Sequence, residues 1–403
     1  VYEKARTVID ETPSWVDDEP DEGESATATR ASADEEPTFI PDDPEYESQW
    51  HYNNTESNVG TPDADINLPE AHDIEAGDSD VVISVVDGGA DLAHPDLEPM
   101  LWTNEDEVPG NGIDDDNNGY VDDVHGYDHA NDDGEPDANG SHGTHVAGTV
   151  AAKNGNGQFG AGVAGGDGSE GSGVRLMINK TFGTMNAGFA EAVTYAADNG
   201  AVVSQNSWGY TSEGDFEQAV LDAIDYFNAN AGGPDQAMNG GIYVNAAGNS
   251  NSDGEWYPGY YEGSYAVSST NENDNRAGYS NYGDWVAVAA PGGGGPATGG
   301  CGATDDDVYS TVVGGFGNLC GTSMAAPHVS GVVGLVASAS PGMTDDAVKD
   351  LLINTGEDVG ADEPIGPRVD ALAALQGTED DSTPPAMISA STSQFHSWAY
   401  VDG

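Results

Sequence analysis

Residues 81–89 of the sequence read VVISVVDGG, a short apolar run that ends on Asp87. A run of this length, rich in β-branched residues, predicts a strand that is buried on both faces. Similar short apolar runs follow at residues 174–179, 201–203 and 242–246. Because both faces of such strands need cover, the runs predict a sheet packed between other elements.

Helical patterns alternate with these strands along the chain. They occupy residues 142–152, 187–197, 331–339, 344–353 and 368–375. This alternation predicts a mostly parallel central sheet with helices on both faces, which is a three-layer α/β/α fold. Sites in such sheets lie at the carboxyl ends of the strands, and Asp87 lies at one of these ends.

Charge is the most unusual property of the composition, since 72 Asp+Glu against 9 Lys+Arg give a formal net charge of -63. A polyanion of this size repels nucleic-acid backbones and anionic lipid surfaces, so neither is an expected partner. No apolar run reaches the roughly 18 residues that cross a bilayer. Salt screens the self-repulsion of such a chain, which predicts adaptation to high salt. The alternative is an ordinary acidic secreted protein.

Three regions of the chain differ in composition. Residues 1–37 are rich in acids, Ser, Thr, Ala and Pro, and they predict a disordered N-terminal extension or the remnant of a pro-segment. Residues 38–376 predict the folded domain, and residues 377–403 predict a C-terminal linker or tail. The two cysteines, Cys301 and Cys320, predict either a disulfide that closes a loop of about 20 residues or two free buried thiols.

Two further motifs carry residues suited to nucleophilic catalysis. HGTHVAG begins with His142 at a predicted helix start, and GTSMAAPHVSG places Ser323 at the start of an apolar helix. A serine hydroxyl becomes nucleophilic when a neutral histidine takes its proton, and a carboxylate such as Asp87 orients that histidine. In the segment NAAGNS, Asn249 follows a predicted strand and can donate its side-chain N–H to an oxyanion.

These motifs resemble those of the subtilisin-like serine endopeptidases, or subtilases, and above all their thermitase-like and halolysin-like branch. The resemblance covers about residues 38–376 and implies the subtilisin-like version of the three-layer fold. It implies a secreted, extracellular, calcium-stabilised monomer that hydrolyses proteins and peptides through an acyl-enzyme on Ser323. Asp87, His142 and Asn249 take the roles given above, and the chain's own propeptide is a further expected partner. The alternatives are an inactive scaffold and a maturation protease for one basic partner.

The resemblance also locates a substrate cleft between two backbone segments, which pair with an extended substrate and so favour broad specificity. These segments are Ser207, Trp208 and Gly209, and Ala246, Ala247 and Gly248. Trp256 lies two residues before Pro258, where the family often has a small residue. It predicts a shallower or rebuilt specificity pocket, and simple core packing of Trp256 is the alternative.

The segment DDDNNGYVDD places oxygen ligands at alternating positions, as the first half of an EF-hand loop does. The candidate ligands are Asp114, Asp116, Asn118, the carbonyl of Tyr120, and Asp122 or Asp123. His125 stands where an EF-hand has its final glutamate, so the pattern predicts a calcium loop without an EF-hand domain. A solvated acidic loop is the alternative.

Two more calcium sites are implied by the resemblance, which gives one to three Ca²⁺ in total. The second set precedes His142 and comprises Asp128, Asn131, Asp133, Glu135 and Asp137. The third comprises Asp43, Asp96 and Asn156 with the carbonyls of Lys153, Gln158 and Gly160. Oxygen ligands without cysteine or clustered histidine argue against zinc.

Overall fold

The computed structural model of the protein describes residues 37–55, 60–183, 186–294 and 306–380. Its helices are α1 (Leu68–His72), α2 (His142–Ala151), α3 (Phe189–Asp198), α4 (Gln218–Asn230), α5 (Thr322–Ala339), α6 (Asp345–Thr355) and α7 (Ala371–Asp380). Its strands are β1 (Val82–Asp87), β2 (Gly126–Asp128), β3 (Arg175–Lys180), β4 (Val203–Asn206), β5 (Met238–Asn239), β6 (Ile242–Ala246), β7 (Tyr265–Thr270), β8 (Val288–Pro291), β9 (Val308–Val312), β10 (Gly315–Leu319) and β11 (Met343–Thr344).

Seven strands form one sheet in the order β2-β3-β1-β4-β6-β7-β8, and each neighbouring pair is parallel. One apolar cluster lies between this sheet and the helices α2 and α5, and a second lies against α3 and α4. The prediction of a mostly parallel sheet in a three-layer α/β/α fold is therefore confirmed. The carboxyl ends of β1, β4 and β6 bring Asp87, Asn206 and Ala246 to one edge of the sheet.

Helix α5 is the central buried element. Apart from its C-terminal end and Ser323, its residues are buried, and it packs against α2 and the strands β4, β6, β7 and β8. Gly331 explains part of this close packing, because a Cβ there would lie 2.5 Å from the side chain of Val163. The apolar pattern at 331–339 thus predicted the second half of a longer helix, whose first turn carries Ser323.

Strand β4 differs from its prediction. The apolar run 201–203 placed the strand too early, since it continues through Ser204 and Gln205 to Asn206. All three polar side chains are buried, and Gln205 accepts a hydrogen bond from the Ser330 hydroxyl at 2.5 Å. Polar residues are tolerated in a buried strand when their hydrogen bonds are made inside the protein. The helices α1 and α4 were not predicted, nor were the strands β2, β5 and β7 to β11.

The end of the described chain also extends past its prediction. Helix α7 continues to Asp380, so the predicted domain boundary at residue 376 falls inside a helix. The extension 1–37 and the tail 377–403 otherwise lie outside the described residues. Cys320 is disulfide-bonded, whereas Cys301, the other cysteine of the chain, lies outside them too. No helix in the described ranges is long and apolar enough to cross a membrane.

Candidate active site

The ends of three elements position the predicted catalytic side chains. Asp87 is the last residue of β1, His142 is the first of α2, and Ser323 is the second of α5. His142 Nδ1 lies 2.9 Å from each carboxylate oxygen of Asp87 and donates its N–H to them. The Asp87 side chain is 5% exposed and the His142 side chain 44%, so the carboxylate is enclosed while the imidazole reaches the surface.

The charge of Asp87 sets the acid–base behaviour of His142. It raises the pKa of His142 above the ordinary value of 6.5, and burial opposes it with a smaller effect. A base with a raised pKa binds a transferred proton more tightly, which suits a group that must take a proton from a hydroxyl.

The side chain of Ser323 is fixed by reciprocal hydrogen bonds with the end of β4. Its hydroxyl donates to the carbonyl of Ser207 at 3.2 Å, and the Ser207 hydroxyl donates to the carbonyl of Ser323 at 2.7 Å. Ser323 and His142 both lie in the described part of the chain, and no hydrogen bond joins their side chains there. Catalytic hydrogen bonds often form only when substrate is bound, and rotation about one side-chain bond redirects the hydroxyl.

Asn249 is held so that its amide nitrogen is available. Its Oδ1 accepts hydrogen bonds from both the backbone N–H and the hydroxyl of Thr322, each at 2.9 Å. The Thr322 hydroxyl in turn accepts the N–H of Gly248 at 3.1 Å. These bonds orient the amide, and its Nδ2 donates to no described group. Thr322 was not singled out from the sequence, although it lies in the same motif as Ser323.

A cleft of about 410 Å³ adjoins these groups. All the predicted substrate-binding residues line it together with Ser323 and Asn249, namely Ser207, Trp208, Gly209, Ala246, Ala247, Gly248 and Trp256. Tyr210, Thr211 and Tyr257 also line it and were not predicted. Trp256 lies in this wall, and its effect on the specificity pocket stays a prediction.

Two further histidines of the motifs are buried and structural. His145 Nε2 contacts the carbonyl of Val308 at 3.0 Å, and burial lowers the pKa of His145 to about 3. His328 Nδ1 contacts the carbonyl of Met324 at 2.8 Å, and burial lowers its pKa to about 4. Both rings are therefore neutral near pH 7, in agreement with their receiving no chemical role from the sequence.

The first predicted calcium loop forms a cluster of carboxylates, but with a different membership. Asp114 and Asp116 each bring a carboxylate oxygen within 4.8 Å of one from Glu107, which was not predicted. Glu107 is 6% exposed, and its Oε2 has no hydrogen-bond partner among the described residues. A buried carboxylate oxygen without a donor needs a cation or a proton. The acid-rich segment around Glu107 was the only signal for it in the sequence.

The other predicted side-chain ligands of this loop make hydrogen bonds of their own, and their assignment as calcium ligands stays a prediction. Asn118 turns its Nδ2 toward Asp116 and Asp123, while its Oδ1 accepts the N–H of Tyr120. Asp122 accepts the N–H groups of residues 111 and 112. Asp123 accepts the hydroxyl of Tyr195 at 2.6 Å, which ties the loop to α3. The second half of the loop is thus anchored to α3 through Asp123.

In the second predicted set, the one buried carboxylate has a lysine as its partner. Asp128 is 1% exposed and pairs with the ammonium group of Lys180 at 2.7 Å. Its carboxylate also accepts the N–H of Ala130 and two bonds from Asn131, one from the backbone N–H and one from the side-chain Nδ2. The side chains of Asp133, Glu135 and Asp137 are exposed. The one buried carboxylate of the set is thus already neutralised by a lysine.

The third predicted set is brought together. Asn156 donates its Nδ2 to Asp96 at 3.0 Å, and its backbone N–H donates to Asp43 at 3.1 Å. Burial raises the pKa of both carboxyl groups, and in Asp43 the charge of Asp96 adds to the effect. Asp43 is 5% and Asp96 0% exposed, and neither has an ion-pair partner in the described ranges. Two buried neighbouring carboxylates suit a hard divalent cation, and the carbonyls of residues 153, 158 and 160 stay predicted ligands.

Comparison with known proteins identifies the family of the chain. A profile of the subtilase family matches residues 78–372. Thermitase of Thermoactinomyces vulgaris is 34% identical over 316 residues, which are 77% of this chain and 94% of thermitase. The halolysin-like extracellular serine protease Nep of Natrialba magadii is 32% identical over 85% of this chain, but over only 54% of its own length. A solved protease from Pseudoalteromonas arctica has a TM-score of 0.63 and 32% identity, covering 84% of this chain and 99% of that one.

Proposed function

Given that the chain belongs to the subtilase family and is a serine endopeptidase, we propose that Asp87, His142 and Ser323 form its charge-relay site. The observation that carries this proposal is the pair of 2.9 Å contacts between His142 and the enclosed Asp87, beside a cleft that Ser323 lines. The inactive scaffold is the alternative, and the presence of Asp87, His142, Ser323 and Asn249 in the sequence argues against it.

The proposed reaction proceeds in two halves. The Ser323 oxygen attacks the peptide carbonyl while His142 Nε2 takes its proton, and Asp87 stabilises the resulting imidazolium. Asn249 Nδ2 and the backbone N–H of Ser323, at the N-terminus of α5, donate to the oxyanion. Collapse of this intermediate breaks the C–N bond as His142 returns the proton to the leaving amine. Water then attacks the acyl-enzyme with His142 again as base, which releases the carboxylic acid and restores Ser323.

The setting of this activity is proposed from charge and relatives. The relative Nep is named as extracellular, and we extend secretion to this chain. The formal net charge of -63 supports adaptation to high salt, because salt screens the repulsion among surface carboxylates. Substrates are unfolded segments of proteins, and the enzyme acts as a monomer that its own propeptide binds before maturation.

The test of the catalytic assignment is labelling with a fluorophosphonate probe in high salt with calcium, followed by peptide mass spectrometry. We expect the label on Ser323 because an activated serine oxygen displaces the fluoride. His142→Ala is expected to abolish labelling, since no base then takes the proton. A folded wild-type chain that stays unlabelled, or a label that survives His142→Ala, would contradict the assignment.

Calcium is proposed at two places, the cluster of Glu107, Asp114 and Asp116 and the pair of Asp43 and Asp96 with Asn156. When bound, calcium would neutralise these carboxylates and tie their loops to the core. The second predicted set is not proposed as a calcium site, because the Lys180 ammonium already serves Asp128.

The calcium assignment predicts that the effect of Glu107→Gln on the unfolding temperature depends on calcium. In a calcium-free chelator buffer we expect this variant to unfold at the same temperature as wild type or higher, because it removes repulsion among three carboxylates. With calcium we expect it to unfold lower than wild type, with the affinity of that site reduced at least about 10-fold. Thermal unfolding at graded calcium and Tb³⁺ luminescence sensitised by nearby tyrosines measure both effects.

Glu105→Gln is the matched control, since Glu105 is an exposed acid of the same loop. It should behave as wild type in both buffers. If Glu107→Gln lowers the unfolding temperature equally with and without calcium, Glu107 has a structural role and its assignment as a calcium ligand is wrong.

A further inference from the structure

A second cavity, of about 500 Å³, opens beside the substrate cleft. Its lining residues are Tyr257, Tyr260, Tyr261, Glu262, Ser264 and Trp285. Four of these six side chains are aromatic, which is an unusual concentration for a surface depression. None of the residues named in the catalytic mechanism belongs to it, and the sequence analysis assigned none of them.

The rings form a connected wall. Tyr257 and Tyr260 have centroids 5.6 Å apart, and Tyr260 and Trp285 have centroids 5.7 Å apart, each pair at 68°. Phe216, which is 48% exposed, extends the wall with its centroid 5.0 Å from that of Tyr257. In edge-to-face arrangements some ring faces stay open, and a ring face carries negative potential that attracts cations.

Carboxylates surround this aromatic wall. Glu262 lies in the lining itself, and Asp225 accepts the hydroxyl of Tyr261 at 2.8 and 2.9 Å. The pKa of Tyr257 is raised by partial burial and then by the charge of Glu255, which places a third carboxylate close by. No lysine or arginine within the described ranges lines the cavity, so nothing in its wall neutralises these groups.

The cavity shares a wall with the catalytic cleft. Tyr257 lines both, and the cleft also contains Ser323 and Asn249. The two cavities therefore meet at Tyr257, next to the cleft in which the polypeptide substrate would lie. An isolated surface depression would offer no such connection to turnover.

We propose that this cavity is an accessory subsite that binds the guanidinium or ammonium group of an arginine or lysine in the substrate. The cation would lie against the faces of Tyr260 and Trp285 with Glu262 as its counter-charge. Arginine fits best, because its planar group stacks on rings and pairs with carboxylates. The proposal rests on the proposed protease function, and it adds a substrate preference that the backbone-pairing walls of the cleft do not supply.

The first experiment compares internally quenched peptides that differ only in one residue, arginine or its uncharged isostere citrulline, placed in turn at each position from four before to four after the cleaved bond. At one position other than the residue before that bond, we expect arginine to give about 2- to 30-fold higher kcat/KM, mostly through KM. Equal values at every position would overturn the proposal, and a preference for uncharged aromatic residues would show an apolar pocket instead.

Variants then connect the preference to the cavity. Glu262→Gln and Trp285→Ala should each reduce the arginine-to-citrulline ratio toward one, whereas Trp285→Phe should keep most of it. Glu98→Gln, an exposed acid outside the lining, should leave the ratio unchanged. A ratio that survives both cavity variants would place the preference elsewhere and overturn the proposal.

These experiments distinguish failure of the cavity proposal from failure of the protease assignment. Continued cleavage of the citrulline peptides shows that the catalytic site works, whatever the ratio. If no peptide is cleaved, binding of the arginine and citrulline peptides to Ser323→Ala, followed by tryptophan fluorescence, tests the cavity directly. Equal affinities for the two peptides would again overturn it.

Discussion

An Asp87→Asn variant is expected to cleave peptides with a kcat about 10⁴-fold below that of the wild type. The carboxylate of Asp87 accepts the Nδ1–H of His142 at 2.9 Å, which leaves Nε2 unprotonated and ready to accept a proton. An amide of the same shape can present N–H instead of oxygen, and this stabilises the opposite tautomer. The fold should be unaffected by so similar a side chain. Steady-state hydrolysis of one peptide by both proteins measures the effect.

The same substitution should change the pH dependence. In the wild type, activity requires neutral His142, so kcat/KM should rise with pH through a pKa above 6.5. Without the charge of Asp87 the rise should move to lower pH. For stability the sign is opposite: the Asp87 charge stabilises the folded state fully below the unfolded pKa of His142, and the contribution disappears as pH rises through the raised folded pKa. A variant within tenfold of wild type, or an unmoved pH profile, would contradict this role.

Replacing Lys180 by methionine is expected to lower the free energy of unfolding by about 3–5 kcal/mol. Asp128 is 1% exposed and Lys180 11%, so methionine would leave an enclosed carboxylate without its counter-charge. The bonds that Asp128 accepts from residues 130 and 131 remain but carry no positive charge. Denaturant unfolding in high salt with a chelator measures the loss.

Lys349→Met is the control for the Lys180 experiment. Lys349 pairs with Asp345 at 2.7 Å, but both side chains are 21% exposed, and we expect a loss of no more than about 1 kcal/mol. Calcium adds a second readout. If calcium fully restores Lys180→Met, the loop before His142 is a calcium site that the lysine displaces. If Lys180→Met costs no more than Lys349→Met, the buried pair does not hold this edge of the sheet.

The proposed catalytic residues could be singled out in the sequence because each belongs to a short motif at the end of a regular element. Asp87 closes an apolar strand, while His142 and Ser323 open helices, so local pattern and chemistry agree. Strands such as β4 were harder, because its buried polar residues depend on partners distant in sequence such as Ser330. An apolar pattern cannot reveal a polar strand whose hydrogen bonds come from another element.

The membership of the carboxylate cluster was predicted less well for a related reason. Spacing within the acidic loop could not show that Glu107, outside the EF-hand-like pattern, would join Asp114 and Asp116. It also could not show that Asp123 would bind Tyr195, because that contact spans the loop and a helix. Lys180 follows the second set by more than forty residues and reaches Asp128 only through the pairing of β2 and β3. Ligand identity thus depends on tertiary contacts, whereas the triad depends on motif position.

The placement of Ser323 on α5 has a consequence for the lifetime of the enzyme. The helix that carries the nucleophile is among the most buried parts of the chain, whereas the acidic loop at 104–124 is largely exposed. Local opening begins in exposed loops and reaches buried helices only on global unfolding. A molecule with an opened loop would therefore still hold Ser323, the proposed nucleophile, on a folded helix, and it would meet neighbours whose loops are open as well. Self-digestion should then be fastest at the onset of unfolding, when active molecules and partly unfolded, cleavable molecules are present in the same solution.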